Sequence, residues 1–337
     1  MFNTVPLVHI TRGSQLEVVY RGAIAVVDAR GQLVASAGDP NLTTFLRSSA
    51  KPFQLLPLVE SGAADRFGFS ERQLAVMAAS HNGEDLHVEA VTSILARLGL
   101  DMNALQCGTH APSYPPAARA LEDAGRQPNA LHNNCSGKHS GMLAQCLDRQ
   151  LPVKSYLDPQ HPIQITIKQT LAELAGIEPN SIGAATDGCS VPTFAIPLAA
   201  SAWAFARLAD PSALSEPRRS ALSRIAAAMM TYPEMVAGTR RLDTEIMRAC
   251  KGRVVVKGGA EGYYGLGILP LGLGIALKLE DGDASRGRNA VVVQVLKQLG
   301  ALDDAALASL ERHAAGPTKN HRGLIVGEMQ TSFQLTR

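Results

Sequence analysis

At 337 residues with 46% hydrophobic residues, the chain holds enough apolar material to bury a substantial core. Its 32 Lys and Arg against 30 Asp and Glu leave a formal charge of +2. That balance excludes the one-signed field that nucleic acid or an anionic membrane surface recruits, so the expected partner is a small molecule. The opening MFNTVPLVHITRG has no charged region leading into an apolar one, and no run of about 18 apolar residues follows, so a cytoplasmic location is expected. The five cysteines (Cys107, Cys135, Cys146, Cys189 and Cys250) are odd in number and widely spaced, which predicts free thiols.

In chain order, EVVYRGAIAVVD and QLVASAG read as two strands joined by a turn at Asp28 to Gly31, a hairpin. From Ser48 to about Cys250 the pattern is largely helical, with amphipathic runs near 50–61, 70–79, 84–98, 137–149, 161–175 and 216–231. A Ser70…Gln73 capping box opens the second of these. The Pro-rich stretch His110 to Pro116 reads as an exposed loop. Three strands are predicted at 253–259, 263–271 and 274–282, then a helix near 285–299 and a β-like run, GLIVGEMQTSFQL. Strands at both chain ends, about 1–47 and 253–337, around a helical block at about 48–252 predict an α+β fold in one catalytic unit. One antiparallel sheet is built from both ends, with a helical lobe beside it.

Chemistry begins at Ser48-Ser49-Ala50-Lys51. A serine hydroxyl needs a base to become a nucleophile, and a lysine three residues on shares its helical face. That lysine must be neutral, so it needs burial or cationic neighbours. Alone, the spacing reads rather as a surface lysine near a helix start. Ser80-His81-Asn82, between two helical patterns, and Lys257-Gly258-Gly259, at the end of a Val-rich strand, follow in order. Singly they read as a helix C-terminal turn and a strand-end turn. Together the three resemble the S-x-x-K, S-x-N and K-[ST]-G elements of serine β-lactamases and penicillin-binding proteins, with Gly258 departing from the third. That likeness predicts two pairs, Ser48 with Lys51 and Ser80 with Lys257, Ser80 being able to pass a proton between the lysines.

The segments Met77 to Glu84, Asn133 to Gly141, Thr186 to Cys189 and Val256 to Gly262 are similar to those of the Rhizobium etli-type (class 3) L-asparaginases, the asparaginase II family. The resemblance runs from Arg12 to about Leu279 and implies a β-lactamase-like fold and hydrolysis of L-asparagine to L-aspartate and ammonia. It implies Ser48 as nucleophile, Lys51 as its base, Ser80 and Lys257 as a second pair, and a homodimer. It also implies a zinc site made of Cys135, Lys138 and Cys189 with water in the fourth position, and Asp187 orienting a ligand or the water. Thiolates suit zinc, whereas a lysine amine must lose its proton to bind. From spacing alone these cysteines read as buried hydrophobes. Arg47, Asn82 and His139 join Asp187 on the substrate side; for Arg47 a surface ion pair is the other reading. Zinc is expected to orient substrate rather than to make the nucleophile, since the serine has its own base. Two alternatives stay open: a glutaminase or other small-amide hydrolase, because one methylene discriminates by only about 1–3 kcal/mol, and a β-lactam hydrolase.

Overall fold

The computed structural model describes residues 3–283 and 285–336. Its main sheet contains eight antiparallel strands: β1 (Val5–Arg12), β2 (Gln15–Asp28), β3 (Leu33–Ala37), β7 (Val254–Gly258), β8 (Tyr263–Ile268), β9 (Leu273–Leu279), β10 (Gly316–Lys319) and β11 (Ile325–Thr331). The order is β10-β11-β1-β2-β9-β8-β7, and β3 pairs with the far half of the long β2, Ile24 facing Ala37. Strands from the two chain ends therefore interleave in one sheet, and β7, with Lys257, forms one edge. A second, three-stranded sheet comprises β4 (Thr43–Phe45), β5 (Gly183–Thr186) and β6 (Pro192–Pro197) in the order β4-β6-β5.

The strand period assigns the faces. Lys257 pairs with Gly265 and Gly258 with Tyr264, so these two pairs point to opposite sides of the sheet. On the Gly265 side lies the helix Leu198–Ala209. It lies so close that a Cβ on Gly265 would come within 2.0 Å of Phe205, and one on Gly274 within 1.9 Å of the Ala202 carbonyl. On the Tyr264 side lies the helix Arg286–Gln298, whose Arg288 guanidinium sits 5.2 Å from the Tyr264 ring centre. The mixed α and β architecture is thus a helix, a curled antiparallel sheet and a helical lobe.

At the centre of the lobe is the helix Lys51–Glu60, apolar around most of its circumference, with eight of its ten residues buried. Phe53 meets Phe205 edge-on at 5.1 Å, coupling this helix to the one on the sheet. The helix Glu71–Met77 opens on the expected capping box: Ser70 Oγ accepts from Gln73 N, and Gln73 Oε1 accepts from Ser70 N. The helix Ser136–Asp148 crosses it, and a Cβ on Gly137 would fall 2.0 Å from the Val76 carbonyl.

Two expectations are corrected. The segment between 48 and 252 is not helical throughout, because β5 and β6 lie within it; GAAT and PTFAIP are too short for periodicity to separate strand from helix. The loop expected through Pro116 gives way at Pro115 to a helix, Pro115–Asp123, because proline fits the first turn, where its missing N–H costs nothing. No helix among the described residues is long and apolar enough to cross a membrane.

Candidate active site and metal centre

Ser48 sits on a 3₁₀ turn, Arg47–Ala50, between β4 and the helix Lys51–Glu60. Arg47 adopts φ +51°, a left-handed conformation costly for a side-chain-bearing residue, and is held there by an ion pair from its Nε to Asp187 Oδ1 at 2.7 Å. The turn is clamped to the end of β7. Ser49 Oγ donates to the Lys257 carbonyl at 2.5 Å, and a Cβ on Gly259 would meet the Leu46 carbonyl at 2.6 Å, so only glycine fits.

Lys51 is buried, and its amine lies 2.6 Å from the Ala79 carbonyl, 2.7 Å from Ser80 Oγ and 3.2 Å from Cys135 Sγ. Two N–H groups can go to Ala79 and Cys135, leaving the lone pair of a neutral amine for the Ser80 hydroxyl. Burial pushes this amine down and nearby Lys138 adds to the effect, while Cys135 and Cys189 oppose it. Among the described residues no hydrogen bond joins Lys51 to Ser48. The same-face argument assumed one continuous helix, but the chain passes from a 3₁₀ turn into the α-helix between the two residues. The Lys51 side chain then finds buried acceptors across the lobe.

Lys257 is also buried. Its amine donates to the Gly258 carbonyl at 2.8 Å and lies 3.8 Å from Asp243 Oδ2, with no hydrogen bond to Ser80. Burial drives it down to about 7 against the opposing pull of Asp243, and the Lys51 charge lowers it further. Asp243, on the helix Leu242–Cys250, went unnoticed in the sequence because an acidic residue in a first helical turn is ordinary. Its carboxylate accepts from Gly258 N at 2.9 Å and from Tyr264 O–H at 2.8 Å. A Cβ on Gly258 would stand 3.0 Å from Asp243 Oδ1, which accounts for glycine where the β-lactamase pattern has Ser or Thr.

Ser48, Ser80, Asn134, Asp243, Gly258 and Gly259 line one cavity of about 340 Å³. The Ala260 N–H borders it and donates to no acceptor among the described residues, as an oxyanion would require. Asn82 lies just outside: its amide donates to the Thr239 carbonyl at 3.0 Å, and its oxygen accepts from Ser113 and Arg241, each at 3.0 Å. His139 is fully buried, its Nδ1 2.6 Å from Tyr156 O–H and its Nε2 without a partner; burial holds the ring neutral.

Beside Lys51 a cluster of possible metal ligands gathers. Donor atoms of Cys135, Asp187 and Cys189 all lie within 4.8 Å of one another, and Lys138 Nζ is 2.8 Å from Cys189 Sγ. Cys189 Sγ lies 3.5 Å from Asp187 Oδ2, so two thiols, a carboxylate and an amine of the kinds that zinc accepts stand together, the amine being able to bind only once it loses its proton. Cys135 is the more acidic thiol: the Cys189 thiol beside it holds it well below the usual range despite burial, and the Lys51 and Lys138 charges help. Burial works against the Lys138 charge, but the two sulfurs and Asp187 outweigh it and raise the amine.

A family model described as L-asparaginase II matches residues 8–331. No curated protein matched the sequence. Similar solved structures include Mglu in its native form in 4.3 M NaCl, at 14% identity, 85% of this chain, 62% of that one and a TM-score of 0.47. Mglu in its L-glutamate binding form gives 14%, 85%, 61% and 0.46, and Bacillus glutaminase 13%, 83%, 91% and 0.39. The chain spans 59% to 67% of the length of the Mglu structures it matches. At these scores the likeness carries no argument about the site.

Proposed function

Since the chain belongs to the L-asparaginase II family, and is thereby an amide-hydrolysing enzyme, we propose that it hydrolyses L-asparagine with Ser48 as nucleophile. The observation that carries this reading is the desolvated Lys51 amine, 2.7 Å from Ser80 Oγ, with Ser80 and Ser48 on the wall of one cavity. Neutral Lys51 takes the Ser48 proton by way of the Ser80 hydroxyl. Ser48 Oγ bonds to the side-chain amide carbon, the oxyanion turns to Ala260 N–H, and the carbon–nitrogen bond breaks as the proton returns to the leaving ammonia. Water then hydrolyses the β-aspartyl ester. Lys257, its amine brought down to about 7 by burial and lying 3.8 Å from Asp243, holds the β7 edge against the Ser48 turn through its carbonyl, which accepts from Ser49 Oγ.

Cys135, Lys138 and Cys189 would hold zinc, with Asp187 orienting from the Arg47 side; the ion would supply a fixed positive charge beside the cavity for positioning substrate. Arg47 then serves mainly to hold Asp187 and the turn, and His139 the packing beneath Lys138. The family resemblance further supports a β-lactamase-like assignment of the fold and a homodimer. The test is ammonia release from a panel of L-asparagine, L-glutamine and simple aliphatic amides, with nitrocefin as the β-lactam probe. L-Asparagine should be turned over best; preferred L-glutamine or nitrocefin hydrolysis would replace this reading.

A further inference from the structure

The cavity lined by Ser48 and Ser80 is cationic and unbalanced. Arg240, Arg241 and Arg288 line it together with Asn289 and His313. His313 is matched by Glu245 at 2.6 Å, and both oxygens of Asp243 are already engaged by Gly258 N–H and Tyr264 O–H. Among the described residues none of the three guanidiniums has a carboxylate partner within ion-pair distance.

Arg288 is the most constrained of them. It is only 7% exposed, lies over the Tyr264 ring, and donates from Nη1 to the Gly259 carbonyl at 3.0 Å and from Nη2 to Asn289 Oδ1 at 3.3 Å. Its buried Nε–H has no acceptor. That atom is out of a ligand's reach, but Nη1 and Nη2 each keep a second N–H that no acceptor among the described residues takes, and the partner that best suits such charged donors is an anionic oxygen. The bond to Gly259 ties this guanidinium to the strand end that clamps the Ser48 turn, so its place relative to the nucleophile is fixed by the fold. Arg241 is set from the other side, by its 3.0 Å bond to Asn82.

We infer that Arg288, assisted by Arg241, is the specificity-determining residue that binds the free carboxylate of the substrate in this cavity. This rests on the amide-hydrolase reading above and assigns the side chain that reads the carboxylate. A substrate with an amide at one end and a carboxylate at the other meets a hydroxyl nucleophile and a planar guanidinium on the wall of the same cavity. Arg288 binds the substrate directly. Asn82 acts only through Arg241 and is a positioning residue.

The experiment compares wild type with Arg288→Met and Arg288→Lys on L-asparagine and on 3-aminopropanamide, which keeps the amide and lacks the carboxylate. Loss of one charge-assisted contact should raise KM for L-asparagine about 10- to 100-fold in Arg288→Met, with kcat nearly unchanged. For 3-aminopropanamide the two proteins should match. Arg288→Lys should recover only part of the loss, since the fork is gone. If Arg288 merely braces Gly259, both amides lose equally and kcat falls with them; that pattern overturns the inference. Titration calorimetry with L-aspartate gives a readout independent of turnover. Wild type should bind it, and Arg288→Met should bind it about 10- to 100-fold more weakly. Were wild type to release no ammonia from any amide, the functional reading would fall while this titration still decided the subsite; no L-aspartate binding by wild type would end it. Should Arg288→Met not fold by circular dichroism, Arg288→Lys and Arg241→Met carry the same comparison.

Discussion

The Lys51 amine and the Ser80 hydroxyl stand 2.7 Å apart, whereas Ser48, three residues from Lys51, is not hydrogen-bonded to it. If the proton of Ser48 travels through Ser80, the three groups act as one unit. We predict that Ser48→Ala and Lys51→Met each remove nearly all ammonia release, that Ser80→Ala loses at least about 100-fold in kcat, and that Lys51→Met/Ser80→Ala is little worse than Lys51→Met. A mild Ser80→Ala would mean that Lys51 turns to Ser48 directly during catalysis.

The depressed lysines give the activity and the stability a pH dependence of known sign. A base must be neutral, so kcat/KM should rise with pH through the lowered Lys51 pKa and level off above it, with the limb surviving in Lys257→Met. A flat profile between about pH 6 and 10 removes Lys51 from the role. For stability, Lys257 titrates at about 7 in the folded protein, against about 10.4 unfolded. In the window between those values the unfolded chain binds more protons, so resistance to urea should increase with pH. Lys257→Met should reduce that slope.

What could be read in the sequence follows the range of the interaction. The Ser70…Gln73 box, the amphipathic helices and the three strands after Arg253 are local patterns, and they stand within a few residues of their expected places. Asp243 and Arg288 could not be found that way. Each looks like an ordinary helix residue until the fold brings it to β7, from 15 and 29 positions away. The partner of the Lys51 amine could not be read for a related reason: spacing placed Lys51 and Ser48 on one helix face, whereas the amine is bonded to the Ala79 carbonyl and to Ser80 across the lobe.

Gly258 offers a direct test of that tertiary control. Restoring the β-lactamase pattern with Gly258→Thr should not help, because the new Cβ starts 3.0 Å from Asp243 Oδ1 and 3.1 Å from Tyr264. We predict a loss of about 1–3 kcal/mol in urea unfolding, the usual cost of overpacking. Asp243→Asn should cost about 2–4 kcal/mol, since it leaves Tyr264 O–H or Gly258 N–H without its charged acceptor and uncouples Lys257. If Gly258→Thr is neutral, the β7 edge yields more readily than its contacts imply.

The two cysteines of the proposed zinc site should behave differently, because only one of them touches the base. Cys135 Sγ is 3.2 Å from Lys51 Nζ, whereas Cys189 is bonded to Lys138 at 2.8 Å and 3.5 Å from Asp187. We predict that Cys189→Ala abolishes stoichiometric zinc, measured by elemental analysis, and raises KM substantially, while kcat falls less than in Ser48→Ala. Cys135→Ala should lose the metal as well and also change the chemistry. The sulfur is the largest influence raising the Lys51 amine, so its removal lowers that pKa and should move the rising limb of kcat/KM to lower pH, further than in Cys189→Ala, where a smaller influence of the same sign is lost. Equal limbs in the two variants would detach Cys135 from the base. A folded Cys189→Ala protein whose kcat collapses as far as that of Ser48→Ala would make the metal a participant in the chemical step rather than a positioning ion.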